Sequence, residues 1–325
     1  MFMIQEYADS TYTIGMPKPK ARGRIGRLLF TGFSMGFADL IPGVSSGTIA
    51  FLYGIYQELL YTIKVITSTV PLLLLKGRFI QAFKLIPFGF IIPLGIGMVT
   101  AVFGLVNLVS FLLETQALFV WSTFFGLVLG SAFVIRKRMH GWTVKRALLL
   151  SAGFALTFFI VTLPTLQAAS SPLLTLGSGA IASMAMILPG ISGSLMLVLL
   201  GQYEGIIAAI SSLDLATLGL FAVGIILGLA AFARLLSWLL HNHHSAVIAT
   251  LIGVMLGSLG AIWPWQTTTG DAAAPIFDLS FIAVLSLAAF GFVLVLILEK
   301  AGIAKEHNED VEAKDYQREV KSQHD

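Results

Sequence analysis

The sequence predicts an all-α integral membrane protein made of two inverted repeats, each with a broken, re-entrant helical hairpin followed by three transmembrane helices. Three observations lead to this fold class. The 325 residues are 57% hydrophobic and only 11% charged, with a mean hydropathy of +0.89, whereas soluble domains carry roughly 25% charged residues. Apolar runs of spanning length recur along the chain, and a short polar motif occurs twice inside apolar sequence.

The two ends of the chain differ from the apolar part between them. Residues 1–27 contain acidic residues and two prolines but no apolar core, so we expect a solvated tail and not a cleavable signal peptide. Residues 299–325 form a second, mixed-charge tail. The predicted first repeat is 28–166 and the predicted second repeat is 167–298.

The doubled motif reads IPGVSSGT over residues 41–48 and LPGISGS over residues 188–194, and each copy is followed by Gly-x-Tyr. Proline lacks a backbone donor and glycine adopts unusual dihedral angles, so each motif is expected to break a helix. Irregular backbone at membrane depth is tolerated only where it is buried in protein or lines a cavity. Two breaks at corresponding positions indicate a transporter binding site at a repeat interface. The helix-breaking residues are Pro42, Gly43, Pro189 and Gly190.

Internal similarity extends beyond the motif. A shift of 147 residues superimposes the two motifs and their Gly-x-Tyr elements, and a shift of 127 places Gly126 and Gly130 on Gly253 and Gly257. The smaller shift implies a longer connection in the first half, near residues 64–85. Each half then continues with three apolar runs close to the ~20 residues that a spanning helix needs. These runs are 86–112, 117–135, 147–166, 217–240, 246–263 and 279–298.

Charge orients the predicted helices. If each motif region enters and leaves on one side, then all but one of the 20 Lys and Arg residues lie in segments on a single side. Positive loops mark the cytoplasmic side, so both termini are expected there. The chain is expected to cross the membrane three times between the two motifs. Because three is an odd number, the two halves have opposite orientations in the membrane. Charge alone leaves open whether each hairpin dips halfway or spans twice.

Hydroxyl residues follow each predicted break. At a new helix N-terminus, hydroxyls and free backbone donors favour an anion such as phosphate or carboxylate. The alternative is ordinary helix capping, in which the serine binds its own backbone. The candidate phosphate-binding hydroxyl residues are Ser45, Ser46, Thr48, Ser192 and Ser194.

The remaining basic residue is Arg234, inside the apolar run 217–240. A charge at the centre of a membrane helix costs at least ~2.5–3.5 kcal/mol unless it is paired or reaches water. Arg234 is therefore either a substrate-site cation or a side chain that extends to the headgroups. Its repeat counterpart, Asn107, is also polar, which favours the substrate site.

Three carboxylates are candidates for coupling transport to protons. Asp39 lies three residues before Pro42 and could neutralise Arg234, carry a coupling proton, or cap the helix that resumes after the break. Glu58 and Glu204 follow the two Gly-x-Tyr elements and could instead be plain interfacial carboxylates.

Other features are expected to be structural. Tyr56 and Tyr203 are typical of an aromatic belt at the membrane interface. His241, His243 and His244 are interpreted as solvated histidines in a short turn, not as zinc ligands. With no cysteine in the chain, no metal site and no cofactor are predicted. The basic residues lie in loops between apolar runs, so no nucleic acid partner is expected.

The two motifs, with Ala38-Asp39-Leu40 before the first and Gly-x-Tyr after each, closely resemble the PopT-type polyprenyl-phosphate transporters over about residues 28–298. The chain departs from the family pattern at Ser46, where glycine is expected. The resemblance implies a carrier that returns undecaprenyl phosphate across the bacterial inner membrane. Arg234 and the two serine clusters would then bind the phosphate, Asp39 with Glu58 or Glu204 would couple transport to protons, and no catalysis would be expected.

Two other functions remain as alternatives. Undecaprenyl-pyrophosphate phosphatases also use paired re-entrant hairpins, but here the first motif lacks their histidine and Gly193 replaces their arginine. Phosphoryl transfer depends on positioned positive charge, so hydrolysis is disfavoured. A carrier or channel for another small anion would use the same opposed half-helices.

Overall fold

The structure is a computed structural model that describes residues 21–40, 45–139, 141–163, 171–267 and 272–322, with side chains described only between residues 24 and 300. Within these ranges the chain is helical, and the only β pairing is an isolated bridge between Gln266 and Ala272. Six of the described helices are long and apolar enough to cross a bilayer, or seven if one bent pair counts as a span. The predicted class, an all-α membrane protein, is confirmed.

The first half supplies α1 Ala21–Asp39, α2 Ser46–Leu52, α3 Tyr56–Lys64, a π-helix Val65–Thr69, α4 Val70–Leu75, α5 Phe79–Leu85, α6 Phe88–Thr115, α7 Ala117–Arg136 and α8 Val144–Val161. The second half supplies α9 Pro172–Ile187, α10 Gly193–Leu199, α11 Tyr203–Ser212, α12 Leu215–Ser258 and α13 Leu279–Ser322. Helices α2 and α10 each have 7 residues, about 10 Å of helix. Since a bilayer core is about 30 Å thick, both are too short to span it, which favours half-dipping hairpins.

The Gly-x-Tyr elements end these short helices in the same way. In the first half, the N–H of Ile55 bonds the carbonyl of Ala50 and the N–H of Gly54 bonds that of Phe51. In the second half, Gln202 and Gly201 make the corresponding bonds to Leu197 and Val198. Both glycines have positive φ, +75° and +64°, as the Schellman C-cap requires. The chain then turns sharply, and α10 and α11 meet at 106°.

The first half contains the longer connection that the two shifts predict. The π-helix, α4 and α5 lie between α3 and α6, whereas only Leu213 and Asp214 separate α11 from α12. Buried Val65, Val70, Leu73 and Ala82 pack this segment against itself. Helix α3, the π-helix and α4 together form a continuous run of 20 residues, Tyr56–Leu75, which is long enough and on average apolar enough to be a further span. The sequence pattern did not predict that continuous helix.

Helix packing matches between the halves. A Cβ atom on Gly97 of α6 would lie 2.1 Å from the carbonyl oxygen of Leu29 in α1, and one on Gly224 of α12 would lie 2.1 Å from that of Leu176 in α9. The remaining helices pack across the halves. A Cβ on Gly126 of α7 would lie 1.9 Å from the oxygen of Ala288 in α13, and one on Gly253 of α12 would lie 2.0 Å from that of Leu150 in α8. Only glycine permits such close backbone contact, as in small-residue packing between membrane helices.

A single residue breaks the helix at matching points of the two halves. Gln116 separates α6 from α7 with φ −136° and ψ 34°. His243, which a shift of 127 places on Gln116, interrupts α12 with φ −136° and ψ 38°. The predicted turn at 241–245 is therefore present as a break at His243. These equivalent breaks and contacts support the proposed repeat, whose inverted orientation stays a prediction.

Several basic segments meet at one end of the molecule, which we call the basic end and define by Arg24, Arg27, Lys137, Arg138 and His244. Arg27 donates to the carbonyl of Tyr53 at 2.9 Å and Arg24 pairs with Glu58, so the first hairpin returns to where α1 begins. Lys137 pairs with Glu299 of α13 at 2.8 Å. Arg138 and His244 line one cavity beside the corner between α2 and α3.

Candidate binding site between two helix breaks

The second break is described in full. Helix α9 ends at Ile187, Leu188 is extended, and Gly190 has a φ of +92°. A Cβ atom on Gly190 would lie 2.8 Å from the Cα of Met255, so both its conformation and its surroundings require glycine. Pro189 interrupts the helix, and the carbonyls of residues 186–188 therefore need partners from outside α9.

The first motif supplies those partners. The Ser45 hydroxyl lies 3.2 Å from the carbonyl oxygen of Met186 and 3.0 Å from that of Leu188. The Tyr56 hydroxyl donates to the carbonyl of Ile187 at 3.0 Å. In the opposite direction, the Gly190 N–H donates to the Thr48 hydroxyl oxygen at 2.9 Å. The two motifs, far apart in sequence, are thus in direct contact.

This contact is buried and close. Ser45, Thr48 and Tyr56 are each at most 2% exposed. A Cβ atom on Gly47 would lie 2.6 Å from the carbonyl oxygen of Ile187, so glycine is needed for the approach of α2. Ser45 also caps α2, because its hydroxyl oxygen accepts from the Gly47 N–H at 3.1 Å. Pro42 and Gly43, the predicted breaking residues of the first motif, lie outside the described residues.

Asp39 caps the first short helix. Its Oδ1 accepts from the Ser46 N–H, seven residues further along the chain, at 3.0 Å. Of the three roles predicted for Asp39, the structure contains the helix cap and shows no ion pair with Arg234. The shift of 147 places Met186 at the corresponding position of the second half, where it is 43% exposed. The two breaks are therefore chemically unequal.

Three hydroxyl residues remain that do not bridge the two motifs. Ser46 is 3% exposed and Ser192 is 6% exposed. The Ser192 and Ser194 hydroxyls lie 2.8 Å apart and share one hydrogen bond. Each hydroxyl has one proton, and the hydrogen bond between the two serines uses only one of these protons. The other proton can be donated to a further acceptor. Unlike Ser45, Ser192 makes no side-chain cap to its helix.

Arg234 lies apart from these serines. Its side chain is exposed on α12, beside the exposed apolar residues Leu227 and Trp238. It makes no hydrogen bond or ion pair with a residue in the described part of the chain. Its counterpart Asn107 is also exposed, on α6. The structure thus gives Arg234 a surface position and does not bring it to the two breaks.

The two glutamates have different surroundings. Glu58 is paired with Arg24, which fastens the start of α3 to the start of α1. Glu204 is exposed in the first turn of α11. Neither carboxylate contacts the serines of the motifs in the described structure.

The interpretation of Tyr56 as an interfacial belt residue is wrong. Tyr56 is 2% exposed and bonded to the second motif, whereas Tyr203 is 42% exposed, as a belt residue would be. Sequence reasoning missed Tyr56 because Gly-x-Tyr occurs in both halves and only the first copy faces the other motif. Its one sequence signal was its place in the Gly-x-Tyr element that follows the first motif.

Two of the three neighbouring histidines have surroundings that the structure describes. His243 stacks edge-on against Trp238, with ring centroids 5.9 Å apart. Across the described ranges, no three His, Asp or Glu side chains are grouped as metal ligands.

Comparisons with known proteins identify relatives over most of the chain. A family model described as undecaprenyl phosphate translocase-like matches residues 35–275. The chain is 40% identical over 237 residues to the polyprenyl-phosphate transporter of Vibrio cholerae, which covers 73% of this chain and 77% of that protein. It is 33% identical over 280 residues to the polyprenyl-phosphate transporter of Staphylococcus aureus, covering 80% and 94%. No solved structure matches.

Proposed function

We propose, since the chain belongs to the family of undecaprenyl phosphate translocase-like proteins, that it carries undecaprenyl phosphate across the bacterial cytoplasmic membrane. Two relatives named as polyprenyl-phosphate transporters support a lipid monophosphate as the cargo. The proposed role is transport and not catalysis. Both termini are proposed to lie in the cytoplasm, on the side of the positive loops.

The observation that carries this proposal is the direct contact between the two helix breaks. Thr48 bonds the backbone of Gly190, and Ser45 and Tyr56 bond the carbonyls of residues 186–188. Backbone polar groups inside a bilayer must be satisfied by protein or by a ligand. If the halves separate at this contact, the Ser45 and Tyr56 hydroxyls and the Gly190 N–H all become free donors.

A phosphate accepts hydrogen bonds from such donors. We propose that the headgroup enters between the breaks when the halves move apart, and that its oxygens replace the carbonyls of residues 186–188. Ser46, Ser192 and Ser194 lie beside the breaks and would complete the set of donors. The polyprenyl chain would remain in the lipid while only the headgroup crosses. Rocking of one repeat, 28–166, against the other, 167–298, would alternate access to the two sides.

Arg234 is proposed as a phosphate contact on the lipid-facing surface. An arginine within an apolar span needs an anionic partner or access to water. Since its exposed side chain has no such partner in the described structure, an arriving headgroup could supply one. In this role Arg234 meets the phosphate before it reaches the serines.

Asp39 is proposed as the coupling group. Its carboxylate accepts from the Ser46 N–H, and a hydrogen bond to a charged acceptor is about twice as strong as a neutral one. Protonation of Asp39 would weaken this cap and free the Ser46 N–H for the phosphate. Glu204, exposed in α11, and Glu58, paired with Arg24, are proposed as secondary proton carriers.

Packing argues against the phosphatase alternative. Gly193 occupies the position at which the phosphatase motif has arginine, and a Cβ atom there would lie 2.8 Å from the carbonyl oxygen of Ala182. An arginine could not be added without moving α9 and α10 apart. Among the described residues, no Lys or Arg side chain contacts the serines of the motifs. Phosphoryl transfer needs positive charge positioned at the phosphate.

The test is thermal stabilisation of the purified protein by undecaprenyl phosphate, compared with undecaprenyl pyrophosphate, inorganic phosphate and undecaprenol. A ligand of the native state raises stability with concentration. We expect selective stabilisation by the monophosphate lipid, and a weaker response in Ser192→Ala than in Ser211→Ala, a control that changes an exposed serine of α11. Equal stabilisation by undecaprenol, or release of phosphate from the pyrophosphate, would contradict the proposal.

A further inference from the structure

A small cavity lies at the basic end, next to the corner between α2 and α3. Its volume is about 150 Å³, below the roughly 300 Å³ at which pockets for drug-sized ligands begin. It therefore suits a small group and not a whole lipid. The lining includes Phe51, Gly54, Gln57, Arg138, Leu240 and His244.

The polar lining residues are chiefly hydrogen-bond donors. Arg138 contributes a guanidinium, Gln57 an amide and His244 an imidazole, and no carboxylate is among the lining residues that the structure describes. The Arg138 guanidinium carbon lies 5.2 Å from the centre of the Phe51 ring, which holds the cation by a cation–π contact. The guanidinium of an arginine is a planar fork of N–H groups whose geometry matches a phosphate.

The wider surroundings are also positive. Arg27 bonds the carbonyl of Tyr53, one residue before the glycine corner. Arg24 is nearby but is paired with Glu58. The field at the cavity thus favours an anion.

The repeat does not reproduce this donor set, which combines Gln57 and Arg138 of the first half with His244 of the second. The shift of 147 that relates the two hairpins places Glu204 on Gln57, and the shift of 127 places Trp265 on Arg138 and Ala117 on His244. Trp265 lines an apolar cavity of about 310 Å³ together with Trp263 and Phe281. A feature required by the repeated fold would occur twice, so this donor set serves a purpose of its own.

We propose that this cavity binds a phosphomonoester, in the form of the lipid headgroup, as a site separate from the two helix breaks. The identity of the lipid rests on the proposed function, whereas the anion chemistry rests on the cavity. The site holds the headgroup at the basic end, on one side of the membrane only. Arg138 is its principal ligand, with Gln57 and His244 beside it.

The experiment measures binding of inorganic phosphate, undecaprenyl phosphate and undecaprenol to the full-length protein in lipid nanodiscs. Arg138→Gln removes the guanidinium, and Arg136→Gln is the matched control. Arg136 is the last residue of α7, two residues before Arg138, and carries the same charge, but it contacts Phe133 and Trp142 and does not line the cavity. We expect Arg138→Gln to weaken binding of both phosphates by about tenfold or more, as for loss of a charged hydrogen bond. Arg136→Gln should stay within about twofold of the parent, in the range of neutral surface changes.

Further variants keep the test decisive if Arg138→Gln does not fold. Arg138→Lys retains the charge without the fork and should lose less affinity than the glutamine variant. His244→Gln removes the imidazole and should weaken both phosphates without changing the response to undecaprenol. Unchanged phosphate affinity in both Arg138→Lys and His244→Gln, or an equal loss in Arg136→Gln, would overturn the inference.

The outcomes also separate this inference from the proposed function. One outcome is that inorganic phosphate binds in a way that depends on Arg138, while undecaprenyl phosphate does not bind. This outcome would support the anion site but would overturn the lipid headgroup as its ligand. It would also count against the proposed function. Translocation of the lipid by the parent protein, with full phosphate affinity in Arg138→Gln, would leave the proposed function standing and overturn this site.

Discussion

At the scale of single residues, the Tyr56 hydroxyl lies in the interior of the protein and donates to the carbonyl of Ile187 at the end of α9. That carbonyl lacks a helical partner because α9 ends at Ile187 and the N–H of Ile191 bonds the carbonyl of Leu188 instead. A buried phenol and a buried carbonyl each cost free energy when unpaired, so the bond satisfies both. Tyr56 thereby fixes the position of the first hairpin on the second.

Tyr56→Phe is expected to destabilise the protein by about 1–3 kcal/mol, because it leaves the Ile187 carbonyl without its donor. Tyr203→Phe removes the same hydroxyl from the matching position of the second half, where the side chain is 42% exposed, and should change stability by less than about 0.5 kcal/mol. Thermal unfolding in one detergent measures both. Equal losses in the two variants would show that the Tyr56 bond contributes nothing specific.

The residues of the site could be predicted from the sequence only in part. Pro189 and Gly190 carry their own backbone preferences, and the break at Gly190 follows from them. The partners of Ser45 and Thr48 could not be predicted, because capping and bridging require the same hydroxyls at the same positions. The outward position of Arg234 could not be predicted from the hydropathy pattern either, because packing against neighbouring helices sets the rotation of a helix about its axis.

At the scale of helices, the closest contacts involve glycines that pair α7 with α13 and α12 with α8. A Cβ on Gly126 or Gly253 would lie 1.9 or 2.0 Å from a backbone oxygen of the neighbouring helix. Without a hydrophobic driving force between membrane helices, such close packing is a main source of their association. These contacts cross between the halves, so they hold the two halves together.

Gly253→Ala is expected to lower stability by about 1–3 kcal/mol or more, because the methyl group cannot fit without separating α12 from α8. Gly104→Ala in α6 is the control, since nothing lies within 4 Å of its Cβ position. There, alanine should be neutral or stabilise by up to about 1 kcal/mol. The midpoint of thermal unfolding compares the two, and similar midpoints would contradict the assigned packing.

Apolar runs predicted most of the long helices. The runs at 86–112, 117–135 and 279–298 correspond to α6, α7 and the first part of α13. The continuous helix from Tyr56 to Leu75 was not predicted, because Lys64 and Pro71 interrupt its apolar pattern. Its π-helix, Val65–Thr69, cannot be read from a 3.6-residue periodicity.

At the scale of the whole molecule, the basic end joins the start of α1, the end of α7, the break in α12 and the α13 residue Glu299. Contacts of Arg27, Lys137 and Arg138 establish this arrangement. The loop after α12, with Trp263, Pro264 and Trp265, carries no Lys or Arg. The positive residues at the start of α1, after α7 and at the break in α12 are therefore grouped at one place in the fold.

Single-cysteine labelling tests the orientation, and the chain suits it because it has no cysteine. Lys145 and Ala274 are exposed, the first near the basic end and the second in the loop before α13. In intact cells, a membrane-impermeant maleimide should label Ala274→Cys but not Lys145→Cys, since positive loops stay in the cytoplasm. Permeabilised cells should label both. Labelling of Lys145→Cys in intact cells would contradict the orientation, and the cysteine-free parent gives the background.

The hydrogen bonds between the two breaks also bear on how a membrane keeps its proton gradient. Water enters protein interiors where polar groups lack partners. Here the carbonyls of residues 186–188 and the Gly190 N–H are bonded to Ser45, Tyr56 and Thr48, so the centre of the protein offers water few sites to form a file through it. A continuous file of water would conduct protons and dissipate the membrane potential. We expect the paired groups at the breaks to limit such a leak.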